Sequence, residues 1–140
     1  MKHATAPGDV TAACTSVVAG FFEALDLRNH ESAVALFTPD GIWERNGTHL
    51  KGRTAIAQAL AERPAGRTTF HLVANPLVSL QDASHAEVRF FLVAYEANKG
   101  LVEPIAPSAI RRCVDRLEFD GERWRIAHKS SQPHMPPASV

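Results

Sequence analysis

Cysteine is scarce. Cys14 and Cys113 are the only two, far apart and without CxxC or Cys/His ligand spacing. That excludes a disulfide framework or an ordinary zinc site and predicts two reduced thiols in a cytoplasm, most simply as small buried apolar residues. Net charge is missing too: fifteen Lys and Arg balance fifteen Asp and Glu. No overall field draws the chain to nucleic acid or an anionic membrane, and a small molecule is the better-suited partner. No uninterrupted apolar run reaches membrane-spanning length, and MKHATAPGD has no signal-peptide core. GxGxxG after a strand, GxxxxGKS/T, HExxH and GxSxG are all absent. Nucleotide, zinc and acyl-enzyme chemistry thereby lose their usual signatures, so the expected chemistry uses no cofactor and no metal.

What is there is an ordinary globular composition, 45% hydrophobic and 21% charged over 140 residues, enough for one domain with a proper core. After a leader expected to be disordered, Asp9 is placed to cap a helix reaching about Arg28, with Val18, Phe21, Phe22 and Leu25 at helical spacing. Asn29 is placed to cap a second helix, His30 to Phe37, which Thr38-Pro39-Asp40-Gly41 ends in a turn. A short strand from Ile42 to Arg45, a hairpin turn at Asn46-Gly47 and a third helix from Arg53 to Glu62 follow. Four strand-like runs come next, 68–80, 85–97, 108–119 and 122–130. Between the second and third, 98–108 carries Leu101, Val102 and Ile105 and suggests a flap over a pocket. Residues 1–131 make one domain, and 132–140 read as a proline-rich, disordered or draped tail. Helices first and strands later is the α+β pattern, an antiparallel sheet curving over helices around a concave space.

Two residues stand out against this framework. Asp26 continues the row Val18, Phe22 at i, i+4, i+8, so a carboxylate falls on a buried stripe. His71 sits mid-strand in RTTFHLVANPLVSL, on the face of Thr69, Val73 and Asn75. A buried carboxylate needs a partner, and a histidine on the facing sheet would serve. If Asp26 accepts the Nδ1 proton of His71, Nε2 is free to act as a base. The plainer alternatives are a strand histidine bonded to a backbone carbonyl and a helix-end acid facing water. His128 shares a strand face with Trp124 and Ile126 and reads as packing. Positive charge gathers late, in Arg111, Arg112, Arg116, Arg123, Arg125 and Lys129. Most of these should be solvated or paired with Glu87, Asp115 or Glu118, and one facing inward would steady an anion. Phe22, Trp43, Phe91 and Tyr95 suit a core wall or a cavity wall equally.

FFEALDLRNHESAVALFTPDGIW, GTHLKGRTAI, FHLVANPLVSL and DRLEFDGERWRIAHK, in that order, resemble the SnoaL-like branch of the nuclear transport factor 2-like superfamily over nearly the whole chain. The resemblance implies a cone of curved antiparallel sheet wrapped around three helices (an α+β barrel), a deep internal pocket, and a homodimer formed through the sheet. Scytalone dehydratase and the hexachlorocyclohexane dehydrochlorinases are similar in an acid ending the first helix and a histidine early in the first long strand, positions that fall on Asp26 and His71. The dehydrochlorinases' basic residue after the last-strand tryptophan falls on Lys129. Departures are equally specific. The ketosteroid isomerase aspartate and tyrosine would fall near Arg45 and Phe21. The scytalone dehydratase tyrosines would fall on Leu25 and Arg45, with no histidine near Asn98.

The expected activity is that of a cofactor-independent lyase or isomerase (dehydratase, dehydrohalogenase, double-bond isomerase or cyclase) acting on a small apolar or aromatic molecule. His71 would be the base, Asp26 its orienter, and Lys129 or Arg112 the cation facing the developing anion. The competing expectation is a non-catalytic small-molecule-binding protein, or a dimerising subunit like the β subunits of ring-hydroxylating dioxygenases.

Overall fold

The computed structural model describes residues 4–45, 47–100 and 102–139. Three helices, α1 (Gly8–Asp26), α2 (His30–Ala35) and α3 (Gly52–Ala61), pack with seven strands. The strands are β1 (Ala4–Thr5), β2 (Phe37–Arg45), β3 (Thr48–Lys51), β4 (Arg67–Asp82), β5 (His85–Asn98), β6 (Pro107–Phe119) and β7 (Trp124–Met135). They form one sheet in the order β1-β4-β5-β6-β7-β2-β3. The α+β class is therefore as expected, but the sheet is neither closed nor wholly antiparallel: β2 runs parallel to β7, and β1 and β3 are its edges.

α1 forms because Cys14, Val18, Phe21, Phe22 and Leu25 recur on one stripe, and all of them are buried. By length and composition α1 is apolar enough to cross a membrane, but here that stripe packs against β4, β5 and β7 as the core. Pro7, not Asp9, occupies the cap position, and Asp9 sits in the first turn, where its charge favours the helix N-terminus. The C-terminus closes with Asn29 N–H on Ala24 O (2.8 Å) and Arg28 N–H on Leu25 O (3.2 Å). This is the Schellman pattern, with Arg28 at the left-handed position (φ 59°) that glycine usually takes. Arg28 is held there by its own side chain, which donates to Pro64 O and to Arg67 O (2.7 Å). The end of α1 is thereby tied to the start of β4.

Five sequence expectations are corrected. Ala4 and Thr5 pair with Leu80 and Ser79 rather than forming a disordered leader, while residues 1–3 lie outside the described residues. α2 stops at Ala35, with Asn29 Oδ1 accepting from Ser32 N–H at its start. Thr38–Gly41 do not end an element: they form a bulge inside β2 between the pairs Phe37–Ile126 and Ile42–His128. There Gly41 is obligatory, since a Cβ would lie 2.8 Å from Phe37 Cδ1 and 3.1 Å from Ile126 O. β7 continues to Met135, so 132–135 belong to the sheet and not to a tail, with Gln132 opposite Arg112 and Pro133 opposite Arg111. β2 pairs β7 only as far as Lys129, which leaves that side of Pro133 unpaired and able to tolerate a residue without an N–H. Finally, Val102 and Ile105 are 97% and 84% exposed and cover nothing; Leu101 lies outside the described residues.

Candidate active site

The concave side of the sheet and α1 enclose a cavity of about 200 Å³. Ligand pockets for drug-sized molecules run ~300–1,000 Å³, so this one suits a smaller molecule, of about one or two small rings. Its apolar wall includes Phe22, Leu25, Trp43, Phe90, Leu92 and Cys113. Burial pushes the Cys113 thiol up to about 12, which leaves it an inert part of that wall.

Asp26 is the last residue of α1, and its carboxylate meets β4. Oδ1 lies 2.6 Å from His71 Nδ1 and accepts from Thr69 Oγ1 at 2.8 Å, while Oδ2 accepts from the His71 backbone N–H at 2.8 Å. A carboxylate at a helix C-terminus faces the wrong end of the dipole, so these donors are what hold it. Because a carboxylate only accepts, Nδ1 carries the proton, and in the neutral ring Nε2 is the lone-pair nitrogen. The two side chains are 14% and 12% exposed for His71 and Asp26, and the imidazole lies 5.3 Å from the Phe22 ring. His71 lines the cavity, and among the described residues its Nε2 bonds to no protein group.

A further layer supports the pair. Arg63, just beyond α3, donates to Thr69 Oγ1 (2.9 Å) and to Leu25 O (2.9 Å). The chain Arg63, Thr69, Asp26, His71 therefore links three elements. Thr69 was legible in principle, two residues before His71 on the same strand face. Arg63 was not, because only the tertiary packing of α3 brings it here.

Lys129 lines the cavity, at the position the resemblance implied, through a route the alternation of β7 does not give. Leu117 pairs with Ile126 and Arg116 with His128, so Ala127 is an extra residue on β7. That bulge flips the strand's faces. Lys129 turns inward, whereas His128 bonds Glu44 Oε1 at 2.8 Å instead of packing beside Trp124 and Ile126. Lys129 Nζ lies 2.6 Å from Asp115 Oδ2 and 4.5 Å from the centroids of both Phe21 and Phe22. Asp115, expected as a surface partner, is fully buried with Oδ1 unpartnered. Burial holds its carboxyl above the usual carboxylate range, and Lys129 pulls the other way.

Two expected site residues fall elsewhere. Along β6 the inward positions are Arg111, Cys113, Asp115 and Leu117, so Arg112 points out and donates to Gln132 Oε1 at 3.2 Å. Phe90 and Leu92 face in, which places Phe91 on the outer face with its ring 4.9 Å from His134. Phe22, Trp43 and Tyr95 do line the cavity. Among the described residues no three His, Cys, Asp or Glu side chains converge as metal ligands.

This is an α+β frame of helices and an open sheet around a small cavity of mixed polar and apolar lining, with the imidazole of an acid–imidazole pair in its wall. Residues 9–130 match the model of the SnoaL-like domain, and the chain belongs to that family. No curated protein matches. Among solved structures it is similar to a variant of Rv3472, a protein of unknown function from Mycobacterium tuberculosis (TM-score 0.84, 20% identity, 96% of this chain and 84% of that one). It is also similar to a provisionally assigned scytalone dehydratase of Novosphingobium aromaticivorans (0.81, 18%, 91% and 85%). A Catenulispora acidiphila protein solved in complex with S-DNPA is similar as well (0.79, 20%, 91% and 95%). At these identities the likeness is one of fold.

Proposed function

We propose that the protein is a cofactor-independent lyase or isomerase that removes a proton from a small organic molecule held in this cavity. The observation that carries the reading is the 2.6 Å contact between Asp26 Oδ1 and His71 Nδ1, with the opposite ring nitrogen unclaimed on a ligand-sized space. His71 Nε2 takes the proton from carbon or hydroxyl, and the imidazolium so formed stands against a carboxylate already fixed by Thr69 and the His71 backbone. Lys129, itself buried in the wall, faces the anion that develops on oxygen or on a leaving group, and burial strengthens the action of a fixed charge. Dehydration, dehydrohalogenation, double-bond migration and ring closure all need this first step.

The test is proton abstraction from nitrobenzisoxazole, a neutral bicyclic probe whose ring opening reports on any positioned base. His71→Gln is expected to lower turnover by about 10²-fold or more while circular dichroism stays unchanged. A folded, fully active variant would remove His71 as the base, and a parent protein without turnover would leave a small-molecule-binding protein as the reading.

We further infer that it works as a homodimer in the cytoplasm. Phe70, Leu72 and Leu77 are 55%, 46% and 59% exposed on the outer side of β4, and both thiols are free and buried. Light scattering that gives the mass of one chain would dismiss the dimer.

A further inference from the structure

The cavity wall carries more positive charge than the proposed reaction uses. Besides Lys129, four arginines line it: Arg45 from the end of β2, Arg63 beyond α3, Arg67 at the start of β4 and Arg111 on β6. Their partners among the described residues are nearly all neutral. Arg45 lies over the Trp43 ring at 4.8 Å. Arg111 Nε donates to Ser131 Oγ at 2.9 Å, and Arg63 holds a carbonyl and a hydroxyl. Only Arg67 meets a carboxylate, Glu96, at 3.6 Å, and Glu96 is 51% exposed; such a pair neutralises little. Arg67 Nε is buried with no acceptor at all.

These groups crowd one another. After burial, the charge of Arg67 is the next cause lowering the proton affinity of both Arg45 and Arg63; Arg28 adds to it at Arg63, where Asp26 pulls the other way. A cluster of like charges with an orphaned donor costs stability unless something anionic completes it. The arginines also stand at the rim. Arg45, Arg63 and Arg67 line one adjoining surface groove, and Arg45 and Arg111 line another. Deeper in, the walls become Phe22, Phe90 and Leu92. Arg67, Thr69 and His71 alternate along one face of β4, so rim and base are about 13 Å apart at the Cα atoms (four residues of ~3.3 Å).

We propose that the substrate is a small organic carboxylate whose anionic group is seated between Arg45, Arg67 and Arg111 at the rim. Its ring or chain reaches inward and sets the labile proton against His71. The proposal deepens the reading of Asp26–His71 as a base and rests on it for the direction in which the substrate points. The planar guanidinium forks match a carboxylate in two-bond geometry, and Glu96, beside Arg67, is the group such an anion would displace. The specificity follows: neutral molecules of the same shape would be held by the apolar wall alone.

The probe is benzoate, with benzamide as its neutral isostere, each titrated by calorimetry and as an inhibitor of nitrobenzisoxazole ring opening. Benzoate should bind at least about tenfold more tightly than benzamide, and about 0.5 M salt should remove most of that advantage. Arg45→Met and Arg111→Met should each weaken benzoate by about tenfold or more and leave benzamide unchanged. The melting temperature of Arg45→Met should hold or rise, because that substitution relieves repulsion from Arg67, whereas removing a purely structural arginine would lower it. His71→Gln should keep benzoate binding while losing turnover, which separates the two proposals. Arginine-dependent benzoate binding with an active His71→Gln variant would sink the base and keep the rim. Equal binding of benzoate and benzamide, or benzoate binding indifferent to Arg45 and Arg111, would overturn the carboxylate proposal whatever His71 does.

Discussion

Replacing Asp115 with asparagine keeps the shape of a fully buried side chain and deletes one charge. Lys129 is then left with an ammonium whose side chain is 5% exposed. Losing one partner of a buried ion pair costs about 3–5 kcal/mol. The rings of Phe21 and Phe22, each 4.5 Å from Nζ, return a part of that, which points to the lower end, about 3 kcal/mol. Against a total stability of ~5–15 kcal/mol this is a large fraction. With a urea slope of about 2 kcal/mol/M, the unfolding midpoint should fall by about 1.5 M. Lys129→Met should be damaging too, but with a pH signature. Its folded Asp115 carboxyl, already raised by burial, loses its counterion and stays protonated further up the scale. A folded value above the unfolded one contributes stability below the unfolded value and loses it as pH rises. The variant should therefore be most stable below the unfolded carboxyl value of about 3.9 and weaken as pH rises above it. The double variant Asp115→Leu with Lys129→Met buries no charge and should come within about 1 kcal/mol of the parent. Chemical denaturation of all four proteins reads these values. An Asp115→Asn midpoint shift below about 0.5 M, or a double variant as unstable as the two singles summed, would refute the view of the pair as a buried, mutually dependent unit.

Two further outcomes are expected from the packing. Gly41→Ala places a methyl 2.8 Å from the Phe37 ring, and Phe37 is fully buried; overpacking of this kind costs about 1–3 kcal/mol, and an unchanged melting temperature would mean the β2 bulge yields freely. Burial raises the Cys14 and Cys113 thiols to about 11 and 12, above the ordinary ~8.5. Stability should therefore fall as pH climbs from about 8.5 toward 12, and native protein at pH 9 should resist iodoacetamide until denatured, rapid native alkylation being the contrary result.

The strand face of His71 follows from alternation, and the apolar row of Asp26 follows from helical period. Both are local properties, so their facing orientation was readable, and the structure finds the two groups in hydrogen-bond contact. Arg112 failed for a reason equally local: the buried Cys113 and Leu117 fix the parity of β6, and that parity selects Arg111.

By itself the sequence determined the three helices, the four long strand runs, the class of fold and the separate faces that carry Asp26 and His71, because periodicity and turn chemistry act over a few residues. Only the tertiary structure decided the rest. An extra residue at Ala127 reversed the faces of β7, carrying Lys129 in and His128 out. The packing of β2, α3, β4 and β6 gathered four distant arginines at one rim. Bulge position and cluster formation depend on how strands pair and helices dock, and no window along the chain contains that information.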